Sequence, residues 1–137
     1  KNKTMATTIA QLTLTSTDLI SDTLALSTVA SITAPHTSGL SRSAVTSTAI
    51  GTASGQVTVD TADTFASPNF IYVKNTAAYH ASNNVVYGYF SGDADGMVLQ
   101  LHGGQFAYMP TSGDFTLKFY TSTSGTVIEH MVIGTNA

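Results

Sequence analysis

The chain has no cysteine and no tryptophan, and only 9% of its residues are charged. The missing thiols exclude a disulfide framework and a thiolate metal site. The five basic residues Lys1, Lys3, Arg42, Lys74 and Lys118 are scattered, and the formal net charge is −3. Binding of nucleic acid through phosphates needs clustered Lys and Arg, so no nucleic-acid partner is expected. No apolar run approaches the roughly 20 residues that span a bilayer as a helix. No signal-peptide apolar segment follows the basic start, and no membrane role is expected. Met5 reads as a natural start preceded by four upstream residues. Asn2-Lys3-Thr4 matches a glycosylation sequon in that short tail.

What fills the space left by charge is hydroxyl. Threonine and serine make up more than a quarter of the 137 residues. Threonine is β-branched and sits well on a pleated strand, while its hydroxyl tolerates water. A hydrophobic fraction of 42% is too high for a disordered chain. The length suits one domain with an apolar core that needs no staples. The expectation is a strand-rich body with little helix.

Periodicity agrees. Ala10, Leu12 and Leu14 alternate with Gln11 and Thr13. Leu24, Leu26, Thr28, Ala30 and Ile32 alternate with Ala25, Ser27, Val29 and Ser31. Period two marks strands with one buried face. The intervening Ser16–Asp22 reads as a turn with room for one helical turn capped by Thr17 or Asp18. A weaker strand runs from Leu40 to about Ala49, and another through Gln56–Asp60. Further strands are expected at Phe70–Lys74, Val85–Phe90, Met97–Leu101, Gln105–Met109, Phe115–Tyr120 and Val127–Ile133. Asn75–Asn84 reads as a polar loop, and Pro110 as the stop of its strand. Eight to ten short strands at roughly ten-residue spacing predict a single-domain all-β protein, a β-sandwich or jelly roll.

The two parts of the chain differ in kind. Residues 5–60 contain no aromatic side chain, whereas residues 65–133 hold every Phe and Tyr. Residues 61–137 are therefore expected to form the sandwich core. Residues 1–60 are expected to supply a Thr/Ser-rich arm and outer strands, in the same domain or against another subunit. Edges clad in hydroxyls and methyls, without guarding charges, invite pairing with another chain.

Few side chains offer chemistry. Asp93-Ala94-Asp95-Gly96 opens like a calcium loop, but position 97 is Met and no distant bidentate Glu follows. A hairpin turn explains it better. His36 and His80 fall in expected loops, His102 precedes Gly103-Gly104, and none of the four histidines has an i, i+4 partner. Glu129 and His130 are neighbours on a strand and point to opposite faces. There is no Gly-x-Ser-x-Gly elbow, and Thr52-Ala53-Ser54-Gly55 lacks the lysine of a phosphate loop. No catalytic residue, metal site or cofactor is assigned, and an enzyme is not expected. Tyr72, Tyr79, Tyr87, Tyr89 and Tyr108 are candidates for stacking sugars, although aromatics on strands commonly pack the core or one another.

The order of elements in the second half is familiar. Phe70-Ile71-Tyr72-Val73-Lys74-Asn75-Thr76 is followed by Gly96-Met97-Val98-Leu99-Gln100-Leu101 and by Gly103-Gly104-Gln105-Phe106-Ala107-Tyr108-Met109-Pro110. Phe115–Phe119 and Thr126-Val127-Ile128-Glu129-His130-Met131-Val132 complete it. With the Thr-rich opening Ala6–Thr15 and Asp22–Ser27, this vocabulary resembles small virion proteins of tailed bacteriophages, notably marine ones. The resemblance implies a capsid decoration, or cement, protein on the outer surface of the head. Its partner would be the major capsid protein or another virion protein, and it would be a homo-oligomer, most simply a trimer. Thr8, Ala10, Leu12, Leu14, Leu24 and Leu26 are the candidate capsid or subunit contacts. A tail, neck or fibre component and a carbohydrate-binding sandwich remain as alternatives.

Overall fold

A computed structural model describes residues 7–18, 23–33, 36–51, 54–60, 65–91, 96–111 and 116–136. Among these residues there is no helix. The chain divides into two compact units, residues 1–35 and 36–137.

The first unit is a two-stranded antiparallel ribbon. Strand β1 (Thr7–Ser16) pairs with β2 (Leu24–Thr33) without a break, from Thr7 opposite Thr33 to Ser16 opposite Leu24. Alternating threonines and aliphatics suit both strands to a pleated surface. The expected helical turn at 19–22 lies outside the described residues.

The second unit is a β-sandwich. Its strands are β3 (His36–Thr37), β4 (Ser41–Val45), β5 (Val57–Asp60), β6 (Phe65–Asn75), β7 (Val86–Phe90), β8 (Met97–Leu101), β9 (Phe106–Thr111), β10 (Thr116–Thr121) and β11 (Thr126–Asn136). One sheet has the order β5-β10-β7-β8. In the other, β3 and β4 both pair with β11, followed by β6 and β9. Every pairing is antiparallel, and the long-range ones are nested: β4 with β11, β5 with β10, β6 with β9, β7 with β8. Such nesting is what one long hairpin, bent at β7–β8 and rolled up, would produce. β11 on β6 and β10 on β7 then close the two sheets.

Side chains from both sheets meet in one cluster. Val45, Ile71, Val73 and Ile128 come from one sheet, and Val59, Val86, Leu101, Leu117 and Phe119 from the other. Val45 and Val59 belong to the Thr/Ser-rich part of the chain, and both are buried here. The boundary between the compact units lies at residue 35, and β4 and β5 are strands of the second unit.

Three local expectations are corrected. His36 is not in a loop: it pairs with Gly134 in the short β3. Pro110 does not stop β9, which continues to Thr111. Among the described residues β9 pairs with β6 alone and lies at the sheet edge, so a residue without an N–H costs it no ladder bond. Strand β6 begins at Phe65, five residues before its expected start. Its register slips where Asn69 faces Gly134 but Ala66 faces Thr135, so Ser67 and Pro68 form a bulge. A bulge is where a strand accommodates proline.

Candidate functional site

Pairs directly opposite in an antiparallel ladder share a face. The register of the ribbon opposes Leu14 to Leu26, Leu12 to Thr28, Ala10 to Ala30 and Ser16 to Leu24. Thr8, Ala10, Leu12, Leu14, Leu24 and Leu26 therefore all lie on one face. The six candidate contact residues, spread over nineteen positions of sequence, become one surface. Leu12, Leu14 and Leu26 are exposed, and Ala10 and Leu24 half-buried. The other face presents Gln11, Thr13, Thr15, Ser27 and Ser31, interrupted by the exposed Ile9 and Val29.

Neither strand of the ribbon carries a charged residue. Near the turn, the Ser16 hydroxyl donates to the Asp18 carboxylate across 3.1 Å. A two-stranded hairpin is marginal in water unless its apolar face is covered. Methyls and hydroxyls supply no acid, base or metal ligand. This face can adhere and exclude water.

The ionisable groups lie elsewhere, on the sandwich. Glu129 points outward from β11, accepting a bond from Arg42 Nε at 3.0 Å and another from the Tyr72 hydroxyl at 3.1 Å. Those two donors hold its pKa below the usual carboxylate value, Arg42 more than Tyr72. Burial, then the hydrogen bond to Glu129, raises the Tyr72 phenol. His130, on the opposite side of the strand, lies beside Ser43, with Nε2 and Oγ 3.1 Å apart, and burial lowers its pKa. The adjacent Glu129 and His130 thus do separate things, as their strand positions require.

The five candidate tyrosines do not form one sugar-binding face. Tyr108 stacks on Phe70 at 5.8 Å, and Tyr72 is engaged by Glu129. Tyr87 stacks on Tyr120 at 5.0 Å. Tyr89 is buried and donates its hydroxyl to Gln56. Tyr79 alone of the five presents an open ring. It sits where the β6–β7 loop meets the β8–β9 turn.

That meeting is tightly built. The Asn75 amide Nδ2 donates to the carbonyls of Asn84 at 2.6 Å and Leu101 at 2.9 Å. Its Oδ1 accepts from the Ala77 N–H, and its carbonyl from Gly104. Gly103 packs so close to Ala78 that a Cβ there would collide with the Ala78 carbonyl. Gly104 has φ +81°, which glycine adopts freely. The β4–β5 and β10–β11 connections join in, through Thr121 N–H on Ser47 O and Asn84 N–H on Thr123 Oγ1.

Three exposed apolar side chains are not evident from the residue pattern. Met97, Val98 and Phe106 are exposed on β8 and β9, the end strands of the two sheets. The available sign was the absence of any charged residue from Met97 to Gly113. The calcium-like Asp93–Asp95 lies outside the described residues. Comparison with known protein families, with curated proteins and with solved structures finds no match to this chain.

Proposed function

We propose that this is a structural virion protein of a tailed phage, a cement protein that binds the outer head surface through its β1–β2 ribbon. The observation that carries the reading is the gathering of Leu12, Leu14, Leu24 and Leu26 on one face of a charge-free ribbon. A ribbon of two strands gains stability when that face is covered. The surface of an assembled shell provides such a cover. The nested pairing of β4 through β11 supports a jelly roll, an architecture that viral capsid domains use. A rigid sandwich of that kind holds a contact element and presents its loops.

The mechanism is mass action. A protein that binds only the assembled shell stabilises it by an amount that grows with the logarithm of its free concentration over Kd. Modest contacts per copy become strong when copies are joined in a symmetric oligomer, and a trimer at local threefold positions is the simplest arrangement. Low charge suits dense packing, because like-charged neighbours would repel.

The test is to count this chain against the major capsid protein in purified particles by quantitative mass spectrometry. Hundreds of copies per particle support a coat on the head. A dozen or fewer would move the protein to the neck, tail or a fibre.

A further inference from the structure

The loop end of the sandwich has a property that shell binding does not use. Among the described residues it comprises 46–51, 54–56, 76–85, 102–105 and 122–125. No Asp, Glu, Lys or Arg occurs in any of them. Tyr79 stands there with 70% of its surface exposed. Its ring lies 5.7 Å from that of His102, tilted by 40°, so one side is supported.

The polar groups around the ring are held by hydrogen bonds. His80 Nδ1 accepts from the N–H groups of Ser82 at 3.1 Å and Asn83 at 2.9 Å, which places its proton on Nε2 as an outward donor. His102 Nδ1 lies 3.2 Å from the His80 carbonyl and so carries a proton, leaving Nε2 to accept from the Gln100 amide at 3.3 Å. Gln105 is held in turn by the His102 N–H on its Oε1. Rigid groups cost little entropy when they bind.

From these observations we infer a second site: Tyr79, flanked by His80, Gln100 and His102, binds a neutral glycan. An open aromatic ring offers a sugar its apolar face. Amide and imidazole groups match hydroxyls in both donor and acceptor roles. A rim without Asp, Glu, Lys or Arg offers a phosphate or sulfate no ion pair, no group of three metal-ligating side chains occurs among the described residues, and desolvating such a rim costs less than desolvating charges. Tyr79 is the platform because the other candidate tyrosines have their rings or hydroxyls engaged within the sandwich.

The test is affinity electrophoresis of the full chain through native gels containing a neutral polysaccharide: dextran, laminarin or galactomannan. Retardation is expected on at least one of them. Tyr79→Ala should weaken it by about tenfold or more, the scale of one lost stacking contact with its neighbours. Tyr79→Phe should retain it, and Tyr72→Phe should leave it unchanged. Free migration on all three gels overturns the proposal. So does retardation that survives Tyr79→Ala undiminished. Either outcome leaves the copy number per particle, and hence the virion reading, to be decided separately.

Discussion

Leu14 and Leu26 stand directly opposite each other across the ribbon, 45% and 47% exposed. Two leucines facing each other this way bury part of their surface mutually and leave the rest to water. None of the residues in the buried cluster of the sandwich comes from the ribbon. Replacing both, Leu14→Ser and Leu26→Ser, should therefore leave the main unfolding transition of the full chain within about 0.5 kcal/mol of wild type. Urea denaturation followed by tyrosine fluorescence measures this. A loss of several kcal/mol would mean that the leucines hold the sandwich together, which would undo their assignment as contacts.

Asn75 is buried and satisfies two carbonyls and one N–H with a single side chain. Asn75→Ala leaves those groups without partners in a site closed to water. An unsatisfied buried group costs about 1–3 kcal/mol, so a total loss of about 3 kcal/mol is expected. Equilibrium unfolding in urea reads it directly, with an unchanged slope if the native state stays compact.

Gly88 lies inside β7, facing the core. A Cβ there would stand 3.0 Å from Phe119 Cε1 and 3.2 Å from Leu99 Cβ. Gly88→Ala should destabilise by about 1–3 kcal/mol through overpacking. Combining it with Phe119→Leu should cost less than the sum of the two single changes, because the smaller side chain gives back the room. Strict additivity in the double-mutant cycle would show that the two sites do not share this space.

Acid should weaken the sandwich in two stages. Burial depresses the pKa of His130, so its neutral form is the one that suits the fold. Its contribution is complete above the unfolded value near 6.5 and is lost as pH falls through the lower folded value. Glu129 is depressed as well, so its contribution is complete above its ordinary 4.5 and disappears at lower pH still. Midpoints measured from pH 8 to 3 should fall in that order. His130→Gln should flatten the upper stage alone, because its titrating neighbour Glu129 points to the other face of the strand and is held by Arg42 and Tyr72.

Much of the fold is legible in residue order, and some of it is not. Leu117 and Phe119 alternate with Lys118 and Tyr120, and in β10 the first pair is buried while the second is half-exposed. The same period of two aligns Leu12, Leu14, Leu24 and Leu26 on one face of the ribbon. Composition by halves is a poorer guide, because Val45 and Val59 are buried despite their Thr-rich surroundings. Proline is weaker punctuation than expected: Pro68 sits in a bulge and Pro110 in an edge strand. The role of Asn75 is hidden for a different reason. Beside Lys74 and Thr76 it resembles an ordinary turn residue, and its partner Leu101 is 26 positions away. A local pattern does not reveal a bond that only the packing of two loops creates.

The proposed function requires the ribbon face to adhere to an assembled shell. The decisive measurement is co-sedimentation of the purified chain with phage heads stripped of it. Saturable binding at hundreds of copies per head is expected, with affinity reduced about tenfold for each leucine replaced by serine in Leu14→Ser and Leu26→Ser. Absence of binding by the wild-type chain, or equal binding by the doubly substituted one, would contradict the claim.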